Sequence, residues 1–367
     1  MTKIPLLVPE MPKCEDLIPW LKKIDENKWY TNFGPLNTLL EERLLGTFEN
    51  HNSLAISSVS NCTVGLELAL GSLNLPHKSK ILIPGLTFAA TGTSILRSGH
   101  IPVFGDVDSE KWILTPPIAR RLIEKFDIKA VMPVATFGHP QNTVEWDIFT
   151  QETGIPVVID AAGAFGNQGV GLTTSAVFSL HATKSLGAGE GGFVVSRSKS
   201  FIDEIRRSTN FGIPQLQSKG YISHPGTNGK LSEYHAAVAL ASLEKWHSNI
   251  LINKENYLQY RGLEKSIDNC RFQDSSQFMA HTLLPVRIFD QNIDQLIIKM
   301  DSSGIGCRRW YYPLLSEYSC FESCQSEPLI NSKKISEELI GLPFYPSINK
   351  NSIEKVIYTV TDLIKTT

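Results

Sequence analysis

A lysine in a glycine-rich loop is the residue of this sequence best placed to do chemistry. Lys184 lies in segment 175–196, where apolar runs at 176–180 and 193–195 flank a loop that contains four glycines. The pattern predicts a strand, a loop and a second strand. An ammonium between buried strands is costly, so Lys184 requires either a carboxylate partner or a covalent partner, such as an aldehyde cofactor, that removes its charge. A solvated surface lysine explains this segment alone equally well.

An aspartate earlier in the chain is the second candidate. Asp160 ends the apolar run 157–159 and precedes the small residues 161–164, which let a bulky group approach. A buried aspartate is costly unless it is paired. The run alone is equally consistent with an aspartate that caps the following turn.

Strands and helices alternate through the part of the chain that positions these two residues. Apolar runs and helical periodicities predict strands at 54–59, 80–84, 101–106, 129–135 and 156–160, each followed by a helix or a turn. This alternation predicts a mostly parallel sheet with helices on both faces, in which sites form at the carboxyl ends of strands. Asp160 occupies such an end.

The turn at 60–63 is a candidate phosphate site. Its residues Ser60, Asn61, Cys62 and Thr63 lie between a predicted strand and a predicted helix, where free backbone N–H groups at the helix N-terminus can bind phosphate. The polar residues are equally explained as helix caps.

Composition excludes several classes of protein. The chain has 367 residues, 35 basic and 37 acidic, so neither nucleic acid nor an anionic membrane is indicated as a partner. We expect a cytoplasmic protein, because neither a signal peptide nor a membrane-spanning run is visible. The scattered cysteines favour reduced thiols and no metal site; they are Cys14, Cys62, Cys270, Cys307, Cys320 and Cys324.

A change of pattern at residue 249 predicts two domains. The expected division is a large domain at 1–248 and a smaller α+β domain at 249–367. Separate helices are predicted at 232–246 and 249–268, on the two sides of this boundary.

Taken together, these segments resemble one family over nearly the whole chain. They are SNCT at 60–63, TFAAT at 87–91, VIDAAGAFG at 158–166, SLHATKSLGAGEGG at 179–192, GTNGKLSE at 226–233 and LPFYP at 342–346. This order is similar to that of the DegT/StrS-type nucleotide-sugar aminotransferases, which depend on pyridoxal 5'-phosphate (PLP). The resemblance implies PLP fold type I, with a mostly parallel seven-stranded sheet flanked by helices and a smaller α+β C-terminal domain.

The same resemblance implies roles for individual residues. Lys184 becomes the lysine that forms a Schiff base with PLP and then moves a proton, and Asp160 becomes the partner of the pyridine nitrogen. Phe88 matches the aromatic residue stacked on the ring, and Ser179, Cys62 and Thr63 match the phosphate site. Asn228 matches a phosphate ligand donated across a dimer interface, which implies a homodimer with composite active sites.

Two positions depart from the family pattern. Cys62 replaces the usual glycine, which is tolerable only if the backbone does not need positive φ. Gly163 replaces the usual Gln or His near the phenolic oxygen of the cofactor, so another residue or water must serve that oxygen. A third position, His181, fits the form common among C4-aminating members, where it is a candidate catalytic residue, although a histidine satisfied within its loop explains it equally well.

The implied substrates are a nucleotide-linked 4-keto-6-deoxy sugar, most similar to the dTDP sugar aminated at C4, and L-glutamate as amino donor. Amination at C3, or of a GDP- or UDP-linked sugar, is the alternative. Candidate substrate contacts lie in loops expected to converge on the lysine; they are Tyr30, Thr31, Asn32, Lys219, Tyr221, Lys230 and Tyr311.

Three other classes fit less well. The sugar dehydratases of this fold have a histidine in place of Lys184. A non-catalytic PLP-binding regulatory protein is expected to lose Asp160 or Lys184. A nucleotide-binding α/β module without PLP needs a glycine-rich fingerprint after the first strand, and segment 58–65 has none.

Overall fold

Helices and strands alternate through most of the chain in the computed structural model, which describes residues 3–213, 222, 224–274, 276 and 278–365. The helices are α1 (Cys14–Asn27), α2 (Pro35–Leu45), α3 (Cys62–Gly71), α4 (Ala89–Arg97), α5 (Pro116–Phe126), α6 (Thr143–Thr153), α7 (Lys199–Thr209), α8 (Glu233–Tyr260), α9 (Gly262–Ser266), α10 (Ile293–Ser302), α11 (Ile330–Glu338) and α12 (Lys350–Lys365). The strands are β1 (Ala55–Val59), β2 (Lys80–Pro84), β3 (Ile101–Gly105), β4 (Ile128–Val131), β5 (Val158–Asp160), β6 (Ser175–Ser179), β7 (Gly192–Ser196), β8 (Cys270–Phe272), β9 (Leu284–Ile288) and β10 (Leu339–Leu342). Within these described residues, no helix is long and apolar enough to cross a membrane.

The first seven strands form one sheet in the order β3-β2-β4-β5-β6-β7-β1. The pairs β2–β3, β2–β4 and β5–β6 are parallel, and parallel bridges from Val131 to Val157 and from Val134 to Asp160 join β4 to β5. Strand β7 runs antiparallel to both β6 and β1. The sheet therefore confirms the predicted mostly parallel, seven-stranded architecture.

Each face of this sheet buries a separate apolar cluster because successive side chains of a strand point to opposite faces. In β6, Ala176 and Phe178 pack with residues of α2, α5, α6 and α8, whereas Val177 packs with residues of α3, α4 and α7. Helices therefore cover both faces, and the edge at the carboxyl ends of the parallel strands stays available for a site.

The C-terminal part of the chain contains a second sheet, antiparallel and in the order β10-β9-β8. Its apolar cluster includes residues of α10 and α12 and also Tyr257 and Tyr260 from α8. The prediction of two separate helices at 232–246 and 249–268 is therefore wrong, since α8 is continuous to Tyr260. Ile250, Asn253 and Tyr257 bury one face of α8 through the polar stretch that suggested a break. The division at residue 248 stays a prediction, and α8 crosses it.

Candidate active site

Lys184 and Asp160 lie at the same edge of the large sheet. Strands β5 and β6 are parallel neighbours that pair Asp160 with Val177, and the loop after β6 carries Lys184. The Lys184 backbone N–H donates to the carbonyl of His181 at 2.9 Å, so a turn holds the lysine in that loop. The predicted strand–loop–strand segment thus brings the two candidate residues together.

Asp160 is buried with only part of its hydrogen-bonding capacity used. Thr91 Oγ1 donates to Oδ2 at 2.7 Å, and the Ala162 N–H donates to Oδ1 at 3.1 Å. Burial raises the pKa of Asp160, and the two hydrogen bonds and the Lys184 charge offset part of that rise. A cation placed against this carboxylate would restore its ionised form, which is what a protonated pyridine nitrogen provides.

Thr91 is a site residue that sequence reasoning missed. It lies in the first turn of α4, and its hydroxyl also contacts the Thr87 hydroxyl at 2.8 Å. The available signal was the i, i+4 spacing of these threonines around Phe88 in the TFAAT segment.

The Lys184 amine is held in a poorly solvated position. Desolvation lowers its pKa, although the groups of Cys62 and Asp160 raise it in part. Within the described residues, Nζ makes no hydrogen bond, and the side chain as a whole is half-buried. A lysine with a lowered pKa more readily becomes the neutral amine that attacks an aldehyde or accepts a proton.

The turn between β1 and α3 has the form expected of a phosphate site. Asn61 is the N-cap of α3, and its Oδ1 accepts from the Val64 N–H at 2.9 Å. Cys62 and Thr63 occupy the first turn, where backbone N–H groups have no partner inside the helix. Cys62 is not among the residues with positive φ, which explains why a side chain is tolerated there.

Gly192 lets this turn approach the loop that carries the lysine. It pairs with Ser179 across β6 and β7, and a Cβ added to it would lie 2.8 Å from Cys62 N and 2.7 Å from Phe178 O. No side chain fits such a gap. Gly192 therefore brings the backbone at Ser179 close to that at Cys62. The contacts of Ser179, Cys62 and Thr63 with phosphate stay predictions.

The segment around Asn228 lies beside the same turn. The Ser60 N–H donates to Gly229 O at 2.6 Å, and Lys230 Nζ donates to Asn228 Oδ1 at 2.8 Å. Both predicted roles, a phosphate ligand and a substrate contact, remain predictions. Lys219 and Tyr221 lie outside the described residues.

The loop that contains Tyr30, Thr31 and Asn32 is anchored to α8. Glu233 accepts from the N–H groups of Leu36 and Asn37 at 2.8 Å each, and its own N–H donates to Tyr30 O. Within the described part of the chain, none of the three loop residues hydrogen-bonds Lys184 or Asp160. Their contact with substrate stays a prediction.

His181 and Phe88 both lie with much of their side chains exposed. His181 Nδ1 is 2.9 Å from Thr183 Oγ1, so the histidine has a hydrogen-bond partner within its own loop. This contact is the one expected from the interpretation without a catalytic role. Phe88 precedes the first residue of α4 and is 62% exposed, which leaves its ring free to contact a ligand. The predicted roles, catalysis and stacking, are not decided by these positions.

The last candidate, Tyr311, lies on the far side of Asp160 from the phosphate turn. Its ring stacks on that of Phe137, with centroids 4.9 Å apart and an interplanar angle of 15°. Phe137 follows the segment that pairs with Asp160, since the Ala135 N–H donates to Asp160 O at 2.9 Å. Tyr311 therefore lies near Asp160, and its contact with substrate stays a prediction.

PLP matches the needs of this arrangement. The partly satisfied carboxylate of Asp160 can hold a protonated pyridine nitrogen, the amine of Lys184 can hold the aldehyde carbon, and the first turn of α3 can hold the phosphate. A family model described as "DegT/DnrJ/EryC1/StrS aminotransferase family" matches residues 13–361. The chain belongs to this family.

Similar members of the family include sugar-processing enzymes. The chain is 29% identical over 371 residues to a dTDP-4-amino-4,6-dideoxy-D-glucose transaminase of Shigella dysenteriae, and 28% identical over 373 residues to one of Escherichia coli. These matches cover 97% and 96% of each chain, respectively. A solved structure of DesI in the presence of its TDP-sugar product is 26% identical, with a TM-score of 0.86, and the match covers 98% of this chain and 92% of that one.

These findings confirm the predicted class. The chain is a PLP-dependent sugar aminotransferase of the DegT/DnrJ/EryC1/StrS family with PLP fold type I. A nucleotide-binding module without PLP is therefore the wrong class for this protein.

Proposed function

We propose that this aminotransferase converts dTDP-4-keto-6-deoxy-D-glucose to dTDP-4-amino-4,6-dideoxy-D-glucose (dTDP-viosamine) with L-glutamate as amino donor. The observation that carries the proposal is the juxtaposition of Lys184 and Asp160 beside the first turn of α3. Similarity to the Shigella dysenteriae and Escherichia coli transaminases supports this sugar, and the SLHATK loop supports reaction at C4.

Lys184 is the covalent anchor and the proton carrier of the proposed reaction. When bound, PLP supplies an electron sink that makes the proton on the carbon beside the reacting nitrogen acidic. The Lys184 amine, with its pKa lowered by desolvation, would accept that proton and later donate it as the general acid. Its lowered pKa brings the lysine closer to the range in which it can serve as both base and acid.

Asp160 would keep a proton on the pyridine nitrogen of bound PLP. Thr91 and Ala162 orient its carboxylate, one on each oxygen. The pairing of a buried carboxylate with a buried cation satisfies both, which water does less well in this position.

Binding and orientation fall to the other residues at this edge. We assign the phosphate to Cys62, Thr63 and Ser179, and one face of the ring to the exposed Phe88. His181 is proposed as a catalytic residue of the C4 reaction. Tyr30, Thr31, Asn32, Lys219, Tyr221 and Lys230 are proposed substrate contacts.

The proposal also covers the oligomeric state, the cellular location and the pathway of the enzyme. Asn228 would complete the phosphate site of a partner subunit in a cytoplasmic homodimer with composite active sites. The amino sugar that the enzyme makes would be used in the synthesis of bacterial surface polysaccharide (O-antigen). Residues 1–248 and 249–367 are proposed as the two domains.

The test compares sugar substrates directly. The PLP-loaded enzyme and glutamate are incubated with dTDP-, UDP- and GDP-4-keto-6-deoxyhexoses, and NMR locates the new amine. Amination of only the dTDP sugar, with an equatorial amine at C4, supports the proposal. Amination at C3, or preference for the GDP or UDP sugar, rejects this substrate and leaves the sugar aminotransferase class standing.

A further inference from the structure

Gly163 leaves an open space beside Asp160. Among the described residues, a Cβ added to this glycine would have one neighbour within 4 Å, Gly138 N at 3.9 Å. Gly163 is also absent from the glycines with positive φ, so the backbone does not exclude a side chain. The site thus has room for a polar group at this position, and the residue there supplies none.

The sheet order defines which edge of a bound PLP ring faces that space. The proposed phosphate ligands Ser179, Cys62 and Thr63 belong to β6 and to the turn after β1, both on one side of β5. Gly138 and Phe137 follow β4, on the other side of β5. In PLP the phosphate arm and the phenolic oxygen lie on opposite edges of the ring, flanking the axis from the pyridine nitrogen to the aldehyde carbon. With the phosphate at α3 and the nitrogen at Asp160, the phenolic oxygen would face Phe137.

Tyr311 brings a hydroxyl to this side. Its half-buried ring lies flat on Phe137, 4.9 Å between centroids, and Phe137 itself is buried and fixed beside Asp160. Within the described residues, the Tyr311 hydroxyl makes no hydrogen bond. Burial and the negative charge of Asp160 raise its pKa, so the phenol keeps its proton and remains a donor at neutral pH.

We infer that the Tyr311 hydroxyl donates a hydrogen bond to the phenolic oxygen of PLP, on the side that Gly163 leaves open. The inference rests on the proposed placement of PLP between Lys184 and Asp160. A donor at this oxygen stabilises its anionic form. The stabilised oxygen then accepts a weaker hydrogen bond from the protonated lysine nitrogen nearby. The pKa of that nitrogen therefore falls.

The test measures that proton in the resting enzyme. Tyr311→Phe keeps the stacking ring and removes the donor, so the pH midpoint of the visible band of lysine-linked PLP should rise by about one to two units, the size of one hydrogen bond to a charged oxygen. Tyr312→Phe is the matched control, because Tyr312 is 44% exposed and lies under Arg309, 3.5 Å from ring centroid to guanidinium carbon. Its midpoint should not move.

A second substitution tests the open space. In the Tyr311→Phe background, Gly163→Gln places an amide donor beside the same oxygen, and the midpoint should return toward that of the wild type. An unchanged midpoint in Tyr311→Phe, or a shift as large in Tyr312→Phe, overturns the role of Tyr311. Failure of Gly163→Gln to lower the raised midpoint overturns the placement of the oxygen. If the wild-type enzyme shows no visible band that borohydride abolishes, the lysine link itself, and with it the proposed function, is wrong.

Discussion

Two buried aspartates lie at the carboxyl ends of strands in the large sheet and have opposite surroundings. Asp106, directly after β3, accepts hydrogen bonds from the N–H groups of Val107, Asn331 and Ser332 and from the Ser332 hydroxyl. Asp160, at the end of β5, accepts only from Thr91 and Ala162 among the described residues. The Asp106 carboxylate uses its acceptor capacity to cap the N-terminus of α11, whereas the Asp160 carboxylate keeps acceptor capacity for a ligand.

The comparison distinguishes a buried aspartate that stabilises the fold from a buried aspartate that is available to bind a ligand. A buried carboxyl group is tolerated when the protein itself supplies its hydrogen-bond partners, as at Asp106. Near Asp160 and Lys184, the pKa of the carboxyl is raised and that of the amine is lowered, both chiefly by desolvation. A carboxyl and an amine whose pKa values are both shifted by burial are typical of sites where a ligand supplies the missing partners.

Lys184→Ala should have the largest effect on activity. Turnover should fall by about four orders of magnitude or more, because the covalent and proton-transfer roles disappear together, while PLP still binds without a covalent bond. Borohydride reduction followed by peptide mass spectrometry should place PLP on residue 184 of the wild type and leave it unattached in the variant. Lys245→Ala is the control, because within the described part of the chain its amine pairs only with Asp16. Full activity of pure Lys184→Ala would contradict the assignment.

Asp160→Asn should cut activity by about a thousandfold or more, since a neutral amide cannot hold the pyridine nitrogen protonated. The measurement is the single-turnover rate with glutamate in PLP-saturated protein. A loss of only a few-fold would show that Asp160 is a structural cap like Asp106.

The stability of the cofactor-free Asp160→Asn protein sharpens this test. A carboxyl whose pKa is raised by folding binds more protons in the folded state, so its contribution to stability falls as pH rises through that raised pKa. The asparagine variant lacks this loss. Its cofactor-free form should therefore be at least as stable as the wild type at neutral pH, as measured by denaturant unfolding.

Asp106→Asn should show the reverse pattern. It should lower the free energy of unfolding by about 2–4 kcal/mol, because an amide cannot accept all the hydrogen bonds that the carboxylate receives. The visible spectrum of the PLP-loaded protein and its activity below the unfolding transition should be unchanged. A spectral change in the folded variant would contradict the division between the two aspartates.

Thr91→Val should have the smallest effect. It removes one charge-assisted hydrogen bond to Asp160 and should lower activity about tenfold, with PLP still bound. Thr93→Val is the matched control on the same helix, since among the described residues the Thr93 hydroxyl bonds only to the backbone carbonyls of Ala89 and Ala90. Equal activities of the two variants would indicate that Thr91 does not orient the carboxylate.

Sequence reasoning succeeded where local pattern and long-range geometry coincide. The runs ending at Asp160 and preceding Lys184 were predicted as strands in a mostly parallel sheet, and the structure pairs these two strands in parallel. It missed Thr91 because a threonine in the first turn of a helix has the same local pattern whether it binds a carboxylate from another strand or faces water. The predicted break in α8 was wrong because burial of Asn253 and Tyr257 depends on a sheet formed by later residues.

The pairing of β1 with β7 has a consequence for the order in which the protein acquires its cofactor. Ala55 at the start of β1 pairs with Ser196 at the end of β7, so the edge strand that leads into the phosphate turn docks only after the chain has been made past the lysine loop. Closing such a distant contact is slow and comes late in folding. A nascent chain that lacks β7 therefore lacks the strand that holds β1 and its phosphate turn in the sheet. PLP bound to the finished sheet would stabilise this docked arrangement.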